Sequence, residues 1–422
     1  MIVSGMSGNE AFCLDQKGYS PGEIVVGNSV CSLGVLGGLG AFGRGLAGGE
    51  IANVTTLISE GRHRAIERME AEAARLGAQG VTSVVSDLRT LSGYMEFLSQ
   101  GSAIHGPALG ARPFSTSASG MELYCQTDAG YTPIRFAMGN VAFALGIGRG
   151  VLGSVRRIAR GEVTEFSQMY NHIRHLALER IRAEAAGVGA NAVVDIRVRM
   201  LPWGPGSVEL LMTGTASHHA QLQANPRPDQ VVTSELTGEE LWNLAAMGLA
   251  PVQLVMATSV YSLGVVGGIG SAFQGLARGE LPELTKLVYE ARERCLDLLR
   301  QEAERFGADQ VVGNKLAIRE LAPGLLEIMA LGTAVRRVEG MRPASPALIP
   351  QAIIVDRDST QETGVSRADE GASALAGQQL QCLGAARGQA GGCLALIMVM
   401  LFFVLPMCGG VVLALVRAIA GQ

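Results

Sequence analysis

Between positions 284 and 306, apolar side chains recur at Leu284, Leu287, Val288, Ala291, Cys295, Leu298, Leu299, Ala303 and Phe306. This three-four spacing marks one face of a helix. Glu290, Arg292, Glu293, Arg294, Asp297, Arg300, Gln301 and Glu304 fall between them and form a solvated face. Gly279-Glu280-Leu281-Pro282-Glu283 leads in. Pro282 suits a first helical turn, where a missing N–H leaves no bond unmade. Glu280 and Glu283 lie toward the positive end of the helix dipole, and Gly307 is placed to end the helix in a left-handed conformation.

The same pattern occurs twice upstream. Gly49-Glu50-Ile51 runs to Gly77-Ala78, and Gly161-Glu162-Val163 runs to Gly189-Ala190. Both ends of the helix move by 112 residues from the first copy to the second and by 118 from the second to the third. Constant offsets mean the helix has no insertions or deletions, and such a repeat governs any fold assignment.

Each copy is longer than its helix. Ser7-Gly8-Asn9-Glu10, Ser119-Gly120-Met121-Glu122 and Thr237-Gly238-Glu239-Glu240 are capping-box patterns, and each predicts a short preamble helix. A first strand is predicted over 23–34, 134–146 and 252–264, where Val, Ile, Phe and Tyr are enriched. Glycine-rich apolar stretches follow at 34–40, 146–153 and 264–270. After the long helix come two strands. In copy two Val194, Ile196, Val198 and Met200 alternate with Asp195, Arg197 and Arg199, the period of a strand with one buried face. Turns at Ser92-Gly93, Pro202–Gly206 and Pro323-Gly324 lead to returning strands that carry Glu96, Glu209 and Glu327.

This order, with the GE(I/V/L) helix entry, the Ala/Arg-rich helix, Gly189-Ala190-Asn191, Gly307-Ala308-Asp309 and the later Gly214-Thr215 and Gly332-Thr333, resembles the YbjQ-like family, which is labelled for heavy-metal binding. Copy one departs from it at Gly80-Val81-Thr82 and Gly101-Ser102. The resemblance implies a fold similar to dodecin, a β-α-β-β unit, with ring-forming single-domain members. The expected class is α+β: three tandem dodecin-like repeats at 7–110, 113–219 and 231–337, each with a helical preamble. Fold resemblance assigns no reaction.

Composition adds limits. The chain has 422 residues, 17% charged and 5% aromatic, with 56 glycines. A net charge of −4 gives no basic footprint for nucleic acid. The seven cysteines (13, 31, 125, 295, 382, 393, 408) form no CxxC pair, so reduced thiols are expected. No basic-then-apolar export signal opens the chain. After the third copy, 338–391 reads as a flexible linker with one apolar island at Ile353-Ile354-Val355. Leu394 to Val416 then gives 23 residues without a charge, against the ~20 that span a bilayer. A transmembrane helix over 394–416 is expected, with a buried soluble helix as the other reading. A tail-anchored, single-pass inner-membrane protein with its bulk in the cytoplasm follows from that.

Candidate chemistry is sparse. His172 and His175 share a helix face and are weak metal candidates; Glu60, His63, Glu290 and Glu293 occupy the same places in the other copies. A solvated surface is the plainer reading. Glu50, Glu162 and Glu280 recur at each helix entry, either as a carboxylate ring open to cations or as compensation of the helix dipole. Glu96, Glu209 and Glu327 recur between apolar residues, as a repeated ion pair or around a shared cavity. No nucleophile–base arrangement and no GxxxxGK(S/T) loop occurs. No catalytic residue and no cofactor is expected beyond the metal of the family label. The reading is a non-enzymatic, membrane-anchored homo-oligomeric scaffold forming a ring or cage. The alternative is a metal- or small-ligand-binding protein with pockets between repeats.

Overall fold

A computed structural model describes residues 1–32, 49–91, 94–109, 113–144, 161–204, 207–263, 282–322 and 324–353. The glycine-rich stretches, the turns at 92–93, 205–206 and 323, Glu280, most of the predicted linker and the 394–416 segment lie outside these residues. Among the described residues, no helix is long and apolar enough to cross a membrane.

Three sheet-and-helix units follow one another. The first holds helix α1 (Gly8–Asp15), strand β1 (Ser20–Ser32), the two-residue strand β2 (Gly49–Glu50), helix α2 (Ala52–Arg75), and the hairpin β3 (Gly80–Leu91) and β4 (Tyr94–His105). The second holds β5 (Phe114–Ser115), α3 (Gly120–Asp128), β6 (Thr132–Ala144), β7 (Gly161–Glu162), α4 (Thr164–Gly187), β8 (Ala192–Gly204) and β9 (Ser207–His218). The third holds β10 (Val232–Thr233), α5 (Gly238–Ala246), β11 (Leu249–Ser262), α6 (Pro282–Arg305), β12 (Gln310–Ala322) and β13 (Leu325–Arg337).

In each unit the first strand pairs antiparallel with the last, and the last with the hairpin partner before it. The first strands start two or three residues earlier than the sequence predicts. Pro21, Pro133 and Pro251 sit inside them, at a register shift in each copy. A bulge releases the N–H bond that proline cannot make. The alternation read in copy two is likewise broken, because Asp195 has φ 54° and is buried. Ser83 (φ 55°) and Gly313 (φ 65°) occupy the same left-handed bulge in the other copies.

All three preamble helices carry the predicted capping box, through Ser7 and Glu10, Ser119 and Glu122, and Thr237 and Glu240. They pack in a row, α1 on α3 and α3 on α5. Each long helix lies across its own sheet, and α2 and α4 also lie against the first strand of the next unit. The approach is close at Gly27 and Gly139, where a Cβ would stand 2.0 Å from Ala65 O and 2.1 Å from Ala177 O.

The linker expected from 338 begins as ordered chain. Met341 and Ala352 are buried. Ala344 N donates to Asp128 O, and Ser345 donates through its N and its Oγ to the Asp128 carboxylate. A 3-10 turn at Pro350–Ala352 rests on α1 and α3. Polar composition hid this strap, because four spaced apolar residues, Met341, Leu348, Ile349 and Ala352, carry its packing.

Candidate functional site: the seams between repeats

The long helices have two buried sides, and this shapes the seam. Ile58, Ala65 and Met69 of α2 are buried, and so are Thr55 and Arg62. Thr55 and Arg62 look toward the second unit. Gly49-Glu50 pairs antiparallel with Phe143-Ala144 and so extends the second sheet, while Ile51 N donates to Ala142 O. Thr55 Oγ1 accepts from Ala142 N at 3.0 Å. The second seam repeats this with α4. Gly161-Glu162 pairs with Tyr261-Ser262, and Ser167 Oγ accepts from Val260 N at 2.8 Å.

At the middle of each seam an arginine from one unit meets a glutamate from the next. Arg62 Nε and Nη2 donate to both oxygens of Glu209, at 3.0 and 2.6 Å. Arg62 Nη1 donates to Ser86 O and Oγ, and Asn140 Nδ2 also donates to Glu209. Both side chains of this pair are fully buried. In the second seam Arg174 Nη2 lies 2.5 Å from Glu327 Oε1, Arg174 Nη1 donates to Thr258 Oγ1, and Arg319 lies 2.9 Å from Glu327 Oε2. Burial alone would push the Glu327 carboxyl up; Arg174 and Arg319 together hold it below the usual range. Arg–carboxylate forks of this kind are directional as well as strong.

The seams are edged by further pairs. Glu70 accepts from Arg135 at 3.0 and 3.2 Å, and at the same place in the second seam Arg182 donates to Gln253 at 2.9 Å. Glu50 accepts from Arg180 at 2.7 Å. Residues Ile51 and Val163 occupy the N-cap positions of α2 and α4 without a side-chain cap bond, so Glu50 ties two units together and does not cap its own helix. Glu162 lies in β7 beside Tyr261. Glu96 is half-buried, and among the described residues no ion pair reaches it.

His172 is exposed. Both ring nitrogens of His175 are engaged: Nδ1 donates to Asn171 O at 2.8 Å, and Nε2 lies 2.8 Å from Glu302 Oε1. His63 makes the same pair of contacts with Ser59 O and Glu184. Hydrogen bonds to the partner glutamates, Glu184 and Glu302, raise both histidines above the ordinary imidazole value. Among the described residues, no three His, Cys, Asp or Glu side chains converge as a metal site needs. Burial pushes the Cys13 and Cys295 thiols up, and Cys125 to about 12, which disfavours the thiolate that ligates metal. Asp195 and Glu235 are carboxyls raised by burial, to about 6 and about 7. Ser117 and Arg197 donate to Asp195, and Lys315 donates to one oxygen of Glu235.

The buried arginines were missed by hydrophobic patterning, which puts Arg292 on a solvated face. A comparison of the copies with one another would have found them. Arg62, Arg174 and Arg292 are identical at one register position, as are Glu96, Glu209 and Glu327.

Known proteins are similar to this chain in sequence. The "Encapsulin nanocompartment protein Rv1762c" of Mycobacterium tuberculosis is 31% identical over 244 residues, 56% of this chain and 91% of that protein. A UPF0145 protein of Thermotoga maritima is 39% identical over 85 residues, 18% of this chain and 80% of its own length. One from Pseudothermotoga lettingae is 32% identical over 104 residues, 25% of this chain and 92% of its own. A family model described as "Putative heavy-metal-binding" matches three times, over 18–106, 131–220 and 249–338. These matches coincide with the three sheet-and-helix units, and the chain belongs to this YbjQ family as three tandem copies of its domain.

Proposed function

We propose that this protein is a non-enzymatic assembly scaffold, each chain supplying three consecutive units of a ring or cage, with a span over 394–416 holding it to the inner membrane. The observation that carries the reading is the seam itself. One unit-to-unit interface is built twice, with a buried Arg–Glu pair, a shared sheet edge and a packed helix face each time. Repeated units of limited core complete one another by stacking. A relative named for a nanocompartment supports an assembly role.

Native mass spectrometry of the full chain in detergent should give a defined oligomer. A sharply monomeric species at micromolar concentration would remove the scaffold reading. Placement is tested separately: deleting Leu394–Gln422 should release the protein to the soluble fraction with its repeats folded, and protease outside intact spheroplasts should leave the repeats uncut. The heavy-metal label of the family is not matched by the described side chains. Chelator treatment should leave the melting temperature unchanged, since a metal bound to the folded form alone would raise it.

A further inference from the structure

The two seams inside the chain are a template for a third. Shifting each contact by one repeat names the groups that a fourth unit would bring to α6. The same shift names the groups that a preceding unit would bring to β1. Among the described residues, the principal members of both sets are exposed in this chain. We infer that the outer face of α6 docks head to tail on β1 of a second copy of this chain, through Arg292 to Glu96 and Arg300 to Glu23. The inference rests on the scaffold reading and gives it a partner surface.

The apolar part of the surface comes first. Phe136, Met138 and Ala142 of β6 are buried, as are Leu254, Met256 and Val260 of β11. Their equivalents on β1, Ile24, Val26 and Val30, are 45%, 43% and 57% exposed. Three apolar residues on one face of an edge strand are a liability unless something covers them. On the other side, Thr285 and Tyr289 of α6 are exposed where Thr55, Ser167 and Asn171 bond across the in-chain seams.

Charge then selects the partner. Arg292 is exposed, and among the described residues neither it nor Glu96 has an ion-pair partner, whereas Arg62–Glu209 and Arg174–Glu327 are closed. The edging pair is more telling because its signs are reversed. In the first seam the helix supplies Glu70 and the strand Arg135. At the open ends the helix carries Arg300 and the strand Glu23, both exposed, and Arg300 bonds only to Asp297 of its own helix, an exposed pair that a partner carboxylate can replace. Opposite charges thus meet again, but only in this register. Docking α6 on a second-repeat strand would set Arg300 against Arg135, and like charges across an interface are costly.

The preamble row is open in the same sense. Tyr124 and Trp242 are buried against the preceding unit, where Lys17 lies over the Tyr124 ring and Asp128 accepts from Trp242. Their equivalent Phe12 is 44% exposed, and Met247, the equivalent of Lys17, is 55% exposed. A thioether beside an aromatic ring is a favourable contact. Gly120 and Gly238 press on the helix before them, while a Cβ on Gly8 would meet nothing. Finally, among the described residues β12 is a sheet edge without the short parallel strand that β5 and β10 add to β3 and β8; Ile2 and Val3, at the register of that strand, are exposed. One contact opposes docking. Glu293 would face Glu72 where His63 and His175 face Glu184 and Glu302. The seam between chains is therefore weaker than the seams within them.

The test uses the full chain in detergent and light scattering over a dilution series. Arg300→Glu alone and Glu23→Arg alone should each raise the concentration for half-assembly by about tenfold or more, and the two together should restore it. Normal assembly of both single variants, or a double variant no better than either, overturns the inference and leaves the scaffold reading standing. A monomeric wild type overturns both. A second measurement does not depend on assembly strength. In an Arg300→Lys variant, mixed as isotopically light and heavy chains, carbodiimide should join position 300 to Glu23 of the other isotope. Cross-links confined to one chain, or to other carboxylates, would show a different surface.

Discussion

Arg62 and Glu209 show what a single residue contributes to this molecule. Both are fully buried, and each would be an uncompensated charge without the other. Arg62→Met should therefore cost about 3–5 kcal/mol in urea unfolding, and adding Glu209→Leu should recover most of it. The edging histidines act in the pH range where the core pairs do not. Bonds to Glu184 and Glu302 raise His63 and His175, so their contribution is complete below the unfolded histidine value. It is lost as pH rises through the raised folded value. The melting temperature should fall across that window, and substituting both histidines with glutamine should flatten the fall. Each pair is partly exposed, so the effect is under about 1 kcal/mol per pair.

At the scale of elements, most of the fold was legible because each element obeys one period. Helices α2, α4 and α6 follow from three-four spacing, the hairpins from alternation, and the preambles from their capping boxes. What was not legible is what a second layer imposes. Arg62 and Arg174 look solvated in a helix considered alone and are buried by the next unit. Asp195 looks like an outward strand position and is turned inward by a bulge. Glu50 looks like a helix-entry carboxylate and is an inter-unit tie. Close packing makes a further demand. Gly139→Ala would put a methyl group 2.1 Å from Ala177 O, where only the backbone can yield. It should destabilise by about 1–3 kcal/mol in chemical denaturation. The third repeat carries Ala257 at this position, so the demand belongs to the first two repeats.

For the whole molecule, the repeats and the direction of the chain define two unlike ends. Such ends associate head to tail, and that geometry yields a ring if the rotation closes and a filament if it does not. Any closed ring contains units in multiples of three, one triplet for each chain. Asp128 lies where several parts of one triplet meet, accepting from Lys17, Trp242 and Ser345. Burial alone would raise this carboxyl, but those bonds hold it below the usual range. Its contribution is present above the unfolded aspartate value and is lost as pH falls through the lower folded value. Asp128→Ala should cost at least about 2 kcal/mol and blunt the acid limb of the stability curve.

The same strap sets a clock on synthesis. Lys17 leaves the ribosome before Asp128, Trp242 follows 114 residues after it, and Ser345 follows after 217. At ~5–20 residues per second, roughly 10–40 s pass between the carboxylate and its last donor. During that interval the middle repeat is made but not fastened, and its preamble stays open to proteases and to neighbouring nascent chains. Polysomes carrying chains stopped before residue 344 should be cut near α3 by a brief protease pulse, and those stopped well beyond 353 should resist. The last part of the globular region to be translated is thus the part that declares a copy finished.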